Sequence, residues 1–222
     1  MHKGINYFLI CCISICFIYC NKCHEKQIGY YNLSPQDLQI IPYNGNEVIK
    51  FQNLSGDSIH FSVGSRVSNM SKKYQVHQDE TTCNYYMLAT NNMVITSDSN
   101  SFQFSILLST FPSPYISGCY KAITFGSMIH GPSNETSSQS TVIFEPDTII
   151  SYDYYWPYGD LIFHKSLTLG TKSFTDVYEI ELILQAATIN KWVNKLYYNI
   201  DQGIVGFYTN QNELWYLGKQ LK

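Results

Sequence analysis

The stretch Leu196–Leu217, LYYNIDQGIVGFYTNQNELWYL, holds three short apolar runs separated by two turn clusters. The runs are Leu196–Tyr198, Ile204–Tyr208 and Leu214–Leu217. Between them stand NIDQG and TNQN, in which Gly203 and Asn210 can take a positive φ. Short apolar runs rich in Tyr, Ile, Val, Phe and Trp, broken at close intervals by such turns, predict a three-stranded antiparallel meander. Gly203 permits the tight turn. Gly206 lets a neighbouring strand or a bulky ring approach, and Phe207 and Trp215 are set to plug a core.

The same period extends upstream. EVIKFQN (Glu47–Asn53) puts Ile49 and Phe51 on one face and Val48, Lys50 and Gln52 on the other. DSIHFSVG (Asp57–Gly64) alternates Ile59, Phe61 and Val63 against Ser58, His60 and Ser62, and LSGD joins the two as a hairpin. CNYYMLAT, NMVITSD and SFQFSILLS continue the pattern, with Asn91-Asn92 and Ser97–Asn100 read as turns. FPSPY (Phe111–Tyr115) carries two prolines and reads as a loop or a sheet edge. CYKAITFGS, TVIFE, DTIISYDYY, DLIFHKSLTL and SFTDVYEIELIL follow as strands. No amphipathic helix longer than about three turns is visible. The expected fold is all-β, a mainly antiparallel sandwich or curved half-barrel closed by the C-terminal meander. The most polar run, Gly131–Ser140, is the best internal boundary, so residues 36–222 form one body or two lobes parted near 131–140.

The first residues read MHKGINYFLICCISICFIYCNKCHEK. His2 and Lys3 precede an apolar run from Ile5 to Tyr19, shorter than the roughly 20 residues that span a bilayer. A basic start and a short apolar run are a secretory signal, here residues 1–19. The run ends in cysteine, as a bacterial lipoprotein signal does. Cys20, where apolar sequence meets Asn21 and Lys22, is the expected acylated residue, although Tyr19 stands where a small residue is usual. Residues 20–35 then form a lipidated tether. The alternatives are plain secretion and an uncleaved anchor.

CNKCH (Cys20–His24) also fits the pattern of covalent haem attachment. A haem pocket needs helices and a second axial ligand, and the residues after His24 show no helical period. An acylated Cys20 cannot also form a thioether. Zinc through Cys20, Cys23 and His24 lacks a second ligand pair at workable spacing. No cofactor and no metal is expected. In the body of the chain Cys83 and Cys119 remain. Paired, they would close a loop of roughly 37 residues, worth on the order of 4 kcal/mol; the alternative is two buried free thiols.

Of 222 residues 45% are hydrophobic and only 14% charged, against about 25% charged in an average soluble protein. Asn, Ser, Thr and 19 Tyr fill the difference, a polar but weakly charged surface of the extracytoplasmic kind. Net charge is −3 and Arg66 is the lone arginine, so the clustered cations of a nucleic-acid surface are missing.

The leader, SFTDVYEI (Ser173–Ile180) and Leu196–Leu217 together resemble a set of uncharacterised lipoproteins from Bacteroidetes. Their shared tail is a Tyr-Tyr strand, then Gly-Ile-x-Gly-Phe, a polar turn and a final Leu-Trp. Those positions here are Tyr197, Tyr198, Gly203, Ile204, Gly206, Phe207, Leu214 and Trp215. The resemblance covers the leader and roughly the last 50 residues. It implies an envelope location and an ordered β domain, and no activity.

SYDYYWPYGD (Ser151–Asp160) is the surface feature most suited to a ligand. Tyr152, Tyr154, Tyr155, Trp156 and Tyr158 beside Asp153 and Asp160 could stack on a sugar ring or a peptide, or cover a sheet end as a hairpin tip. HQDETTC (His77–Cys83) mixes a histidine, two carboxylates and a thiol, but Asp79 and Glu80 are adjacent and point apart in extended chain. No catalytic residue is singled out. Short acceptor patterns for N-glycans (Asn53, Asn69, Asn134) and for O-glycans (Ser58, Thr148) arise easily in a chain this rich in Asn and Ser. The expected function is a lipid-anchored envelope protein acting as a binding or structural component rather than as an enzyme, with a membrane partner through its anchor and a carbohydrate or protein partner. A carrier of an apolar ligand would need an open apolar trough. An envelope hydrolase would need His60, His77, His130 or His164 to meet a carboxylate or Cys in a cleft.

Overall fold

The computed structural model describes residues 24–74, 82–99, 101–112, 119–130, 135–145, 148–150, 160–186 and 191–221. The chain forms two compact units, residues 1–30 with 72–87, and residues 31–71 with 88–222.

The sequence alternation becomes strand almost throughout. In chain order these are β1 (His24–Tyr31), β2 (Val48–Asn53), β3 (Ser58–Val63), β4 (Val67–Tyr74), β5 (Thr82–Ser97), β6 (Phe102–Pro112), β7 (Cys119–His130) and β8 (Glu135–Glu145). Then come β9 (Thr148–Ile150), β10 (Leu161–Leu169), β11 (Lys172–Glu181), β12 (Ile183–Ala186), β13 (Val193–Asn199), β14 (Gly203–Thr209) and β15 (Leu214–Leu221). Among the described residues one four-residue helix, α1 (Pro35–Leu38), interrupts them.

In the larger unit the sheet order is β10-β11-β13-β14-β15-β2-β3-β5-β6-β7-β8-β12. Its pairings are antiparallel, and the sheet curls into the expected half-barrel. One segment draws the two ends together. β11 pairs β13, from Val177↔Asn199 to Glu181↔Lys195. After Leu182 the same chain continues as β12 and pairs β8 through Ile183↔Gln139. The Leu182 amide donates to the Asn194 carbonyl at 2.8 Å. Ser138 Oγ on β8 donates to the Val193 carbonyl at 2.7 Å, so β8 and β13 are tied directly as well.

The inward faces fill the interior. Ile49 and Phe51 of β2 are buried, as are Phe61 and Val63 of β3, on the faces that alternation assigned to them. Phe207 is the hub. Its ring lies 5.0 Å from Phe104, 5.5 Å from Phe51 and 5.7 Å from Phe102, and it stacks on Trp215 at 6.3 Å. Phe125 of β7 meets Tyr198 of β13 across the interior at 4.9 Å. Such tilted and edge-on ring pairs add to the burial of their apolar area.

The C-terminal meander is present as read, with Gly203 at φ +79°. The second turn takes its positive φ at Asn212 (61°), not at Asn210. Asn210 instead uses its side-chain oxygen to accept the Trp192 amide at 2.9 Å.

Three local readings differ from the structure. Asn91-Asn92 is no turn: it lies inside the 16-residue β5. Asn91 is buried there and its side-chain amide donates to Ser68 Oγ at 2.8 Å, which meets a polar need that a turn would otherwise have met with water. The polar run ending at Ser140 contains the start of β8, whose Thr136, Ser138 and Ser140 are buried. Small hydroxyl side chains face inward where β13 approaches closely, and hydrogen bonds compensate their burial. Residues 24–31, read as part of the tether, form β1, which pairs β5.

Candidate functional site

Arg66 organises a concavity among the described residues. Upstream of it, Ser34 caps α1: its hydroxyl accepts the Asp37 amide at 3.2 Å, and the Asp37 carboxylate accepts the Ser34 amide at 2.7 Å. Asp37 is held from the far side by Lys121 Nζ at 2.5 Å. Burial of Asp37 opposes its ionisation, but the hydrogen bonds from Lys121 and Ser34 outweigh that and leave its carboxyl below the usual range. The helix stops after one turn because Ile40 and Ile41 turn into the core and Pro42 follows. Leu38 O accepts the Ile41 amide at 3.3 Å in a last tight turn, and it, Ile41 O and Tyr43 O also face Arg66. Arg66 takes all three: Nε donates to Tyr43 O at 2.8 Å, one terminal nitrogen to Leu38 O at 3.0 Å and the other to Ile41 O.

A groove of about 270 Å³ opens over this loop, with Pro35, Leu38, Ile41 and Pro42 on its apolar side and Gln39, Asn44 and Arg66 on its polar side. None of these is a histidine, a cysteine or a carboxylate. The groove can therefore hold a small molecule by shape and by the guanidinium, but offers no nucleophile or general base.

Beneath the loop two buried phenols fix it to the meander. Tyr43 Oη accepts the Ile204 amide at 2.6 Å. Tyr198 Oη donates to Ile40 O at 2.5 Å. Burial pushes both phenols well above their ordinary range, so both remain neutral.

Three of the four histidines weighed for hydrolysis do meet carboxylates. His60 lies 3.6 Å from Asp98, His130 lies 3.0 Å from Glu135, and His164 lies 2.9 Å from Glu179. Each pair bridges neighbouring strands on a separate part of the sheet, so the pairs do not converge. His130 and Glu135, for instance, are register partners across β7 and β8. Among the described residues no group of three or more His, Cys, Asp or Glu is arranged to hold a metal ion. The densest of the clusters is that of Glu179, which also accepts Lys195 Nζ at 2.6 Å. Burial would raise the Glu179 carboxyl; the bonds from Lys195 and His164 outweigh it and hold the group below the usual range. Among the described residues no serine or cysteine hydrogen-bonds to it, and it reads as a cross-strand clasp of β10, β11 and β13.

Of the residues singled out in the sequence, Cys20, His77 and the cluster Tyr152, Tyr154, Tyr155, Trp156 and Tyr158 lie outside the described residues. Cys83 lies in β5 and Cys119 in β7, and their side chains are likewise outside the description. The groove at Arg66 was not anticipated. Its one sequence signal is that the chain's lone arginine follows directly on Gly64-Ser65, and that prolines bound the segment from 35 to 42. Compared with protein-family descriptions, curated proteins and solved structures, the chain matches none.

Proposed function

We propose that the chain is a lipid-anchored cell-envelope protein, held at the outer membrane through Cys20, that works by binding or as a structural component. The observation that carries this reading is the leader: an apolar run from Ile5 to Tyr19 that ends at Cys20 and is followed at once by polar residues. The resemblance of the leader and the tail to Bacteroidetes lipoproteins supports the same location. The ring-filled interior supports a role carried by surfaces: an apolar carrier needs a trough, and Phe51, Phe61, Phe104 and Phe207 occupy that space. The scattered histidine–carboxylate pairs give no support to hydrolysis. A carbohydrate or protein partner is assigned to the aromatic run from Tyr152 to Tyr158.

Mass spectrometry of the mature N-terminus tests the reading. The expected product begins at Cys20 and carries acyl chains, and Cys20→Ser leaves an unprocessed or non-acylated chain. A mature chain that starts elsewhere and bears no lipid overturns it.

A further inference from the structure

Among the described residues of the smaller unit, β1 and the end of β4 flank the start of β5 in a three-stranded sheet. Its two faces differ. On one, Glu25 accepts hydrogen bonds from Lys72 and Tyr74, the Lys72 ammonium sits 4.0 Å above the Tyr85 ring, and Tyr74 meets Tyr85 at 6.2 Å. The bond from Lys72 holds the Glu25 carboxyl below its usual range, and Tyr74 is 47% exposed on this face. By strand alternation the other face carries Lys26, Ile28 and Tyr30 from β1, Lys73 from β4 and Tyr86 from β5. Ile28 is 38% and Tyr30 59% exposed there, and both lysines are exposed.

The geometry points to this second face as a membrane-contact surface, lying on the bilayer that holds the anchor. The inference rests on acylation of Cys20 and adds to it the face that meets the lipid. Only Asn21, Lys22 and Cys23 separate Cys20 from β1. A fully extended chain of that length reaches about 14 Å, so β1 begins at or just above the headgroup layer. A three-stranded sheet with both faces in water is only marginally stable, so one covered face is to be expected. The composition of the second face suits an interface: tyrosine places an apolar body and a polar tip at headgroup depth, the aliphatic side chain enters the acyl boundary, and lysines meet anionic headgroups. The first face, with its internal Glu25–Lys72 pair, is the one turned to water.

The test uses the full acylated protein in phosphatidylethanolamine–phosphatidylglycerol vesicles. A benzoylphenylalanine photocrosslinker is placed in turn at Ile28, at Gln27 on the opposite face, and at exposed Phe163 in β10. Flotation reports anchoring; mass spectrometry after illumination reports lipid adducts. The expected result is flotation in all three cases and at least about fivefold more lipid adduct at position 28 than at 27 or 163. Replacing Lys26 and Lys73 with Glu lowers the adduct at 28 without abolishing flotation. Flotation with equal adducts at all three positions, or adducts at 28 to protein only, overturns the membrane face while leaving the anchor intact. Loss of flotation in the parent protein overturns both.

Discussion

Two glycines of the tail show what a single residue decides. Gly203 has φ +79°, and a Cβ there would stand 2.1 Å from Tyr43 Oη. A Cβ at Gly206 would stand 2.8 Å from Leu169 Cδ1 and 3.0 Å from the Trp215 carbonyl. The sequence announced both needs, a turn and a close approach, but not the partners, since Tyr43 lies 160 residues before Gly203 in the chain and nothing local points to it. Gly203→Ala therefore meets backbone strain and a buried ring together. It should lower stability by roughly 2–4 kcal/mol, read from the shift of the urea midpoint at unchanged slope. Tyr43→Phe removes the acceptor of the Ile204 amide without changing the ring, and should cost about 1–3 kcal/mol in the same measurement. A loss below about half a kcal/mol would mean that the buried amide has found another acceptor.

Elements were legible where one face was apolar and the other polar. β2 and β3 are of that kind, and the predicted face is the inward one in each, with Ile59 half-buried at its edge. Legibility failed where the inward face is itself polar, as at Asn91 in β5 and at Thr136, Ser138 and Ser140 in β8, because alternation of apolar with polar residues is then lost. The clasp of β10, β11 and β13 shows the same limit: Glu179 in the midst of DVYEIE gave no sign of its partners His164 and Lys195. Its ionisation has a consequence for pH. The folded carboxyl is held below its ordinary range, so the unfolded chain binds a proton at higher pH than the folded one. The clasp's contribution is thus complete above about pH 5 and is lost as pH falls through the ordinary carboxylate range, near 4.3, towards the lower folded value. Denaturation measured from neutral to acid pH should fall along that limb. Glu179→Gln should flatten it by roughly 1 kcal/mol, a modest figure because Lys195 is partly in water. Asp37 has a lowered carboxyl too and supplies a parallel acid limb, so the flattening is partial.

At the largest scale the all-β class and the meander were readable, but the path of the sheet was not. Local alternation says which face is buried and never which strand lies alongside. The pairing of β15 with β2, Trp215↔Asn53 onward, joins residues over 160 positions apart. The junction at Leu182 joins the last strand of the long path to β8 in the same way. Whether that junction holds the larger unit closed is a question of energy, and Ser138 is the residue that asks it. Its hydroxyl shares a hydrogen bond with Ser127 Oγ at 2.8 Å and donates to the Val193 carbonyl, all of it buried. Ser138→Val keeps the strand propensity and nearly the shape, but removes the donor and leaves a buried carbonyl and hydroxyl poorly paired. Ser166→Val, at an exposed site on β10, is the control for added bulk and should change little. If the junction closes the unit, Ser138→Val lowers the urea midpoint by the equivalent of about 2–4 kcal/mol. Amide exchange at Leu182 then accelerates by the same factor as exchange at Phe207 in the core, because both open only with the whole unit. If instead the junction is a local fastening, Leu182 exchanges faster while Phe207 keeps its protection, and the curled sheet is held by its ring-filled interior alone.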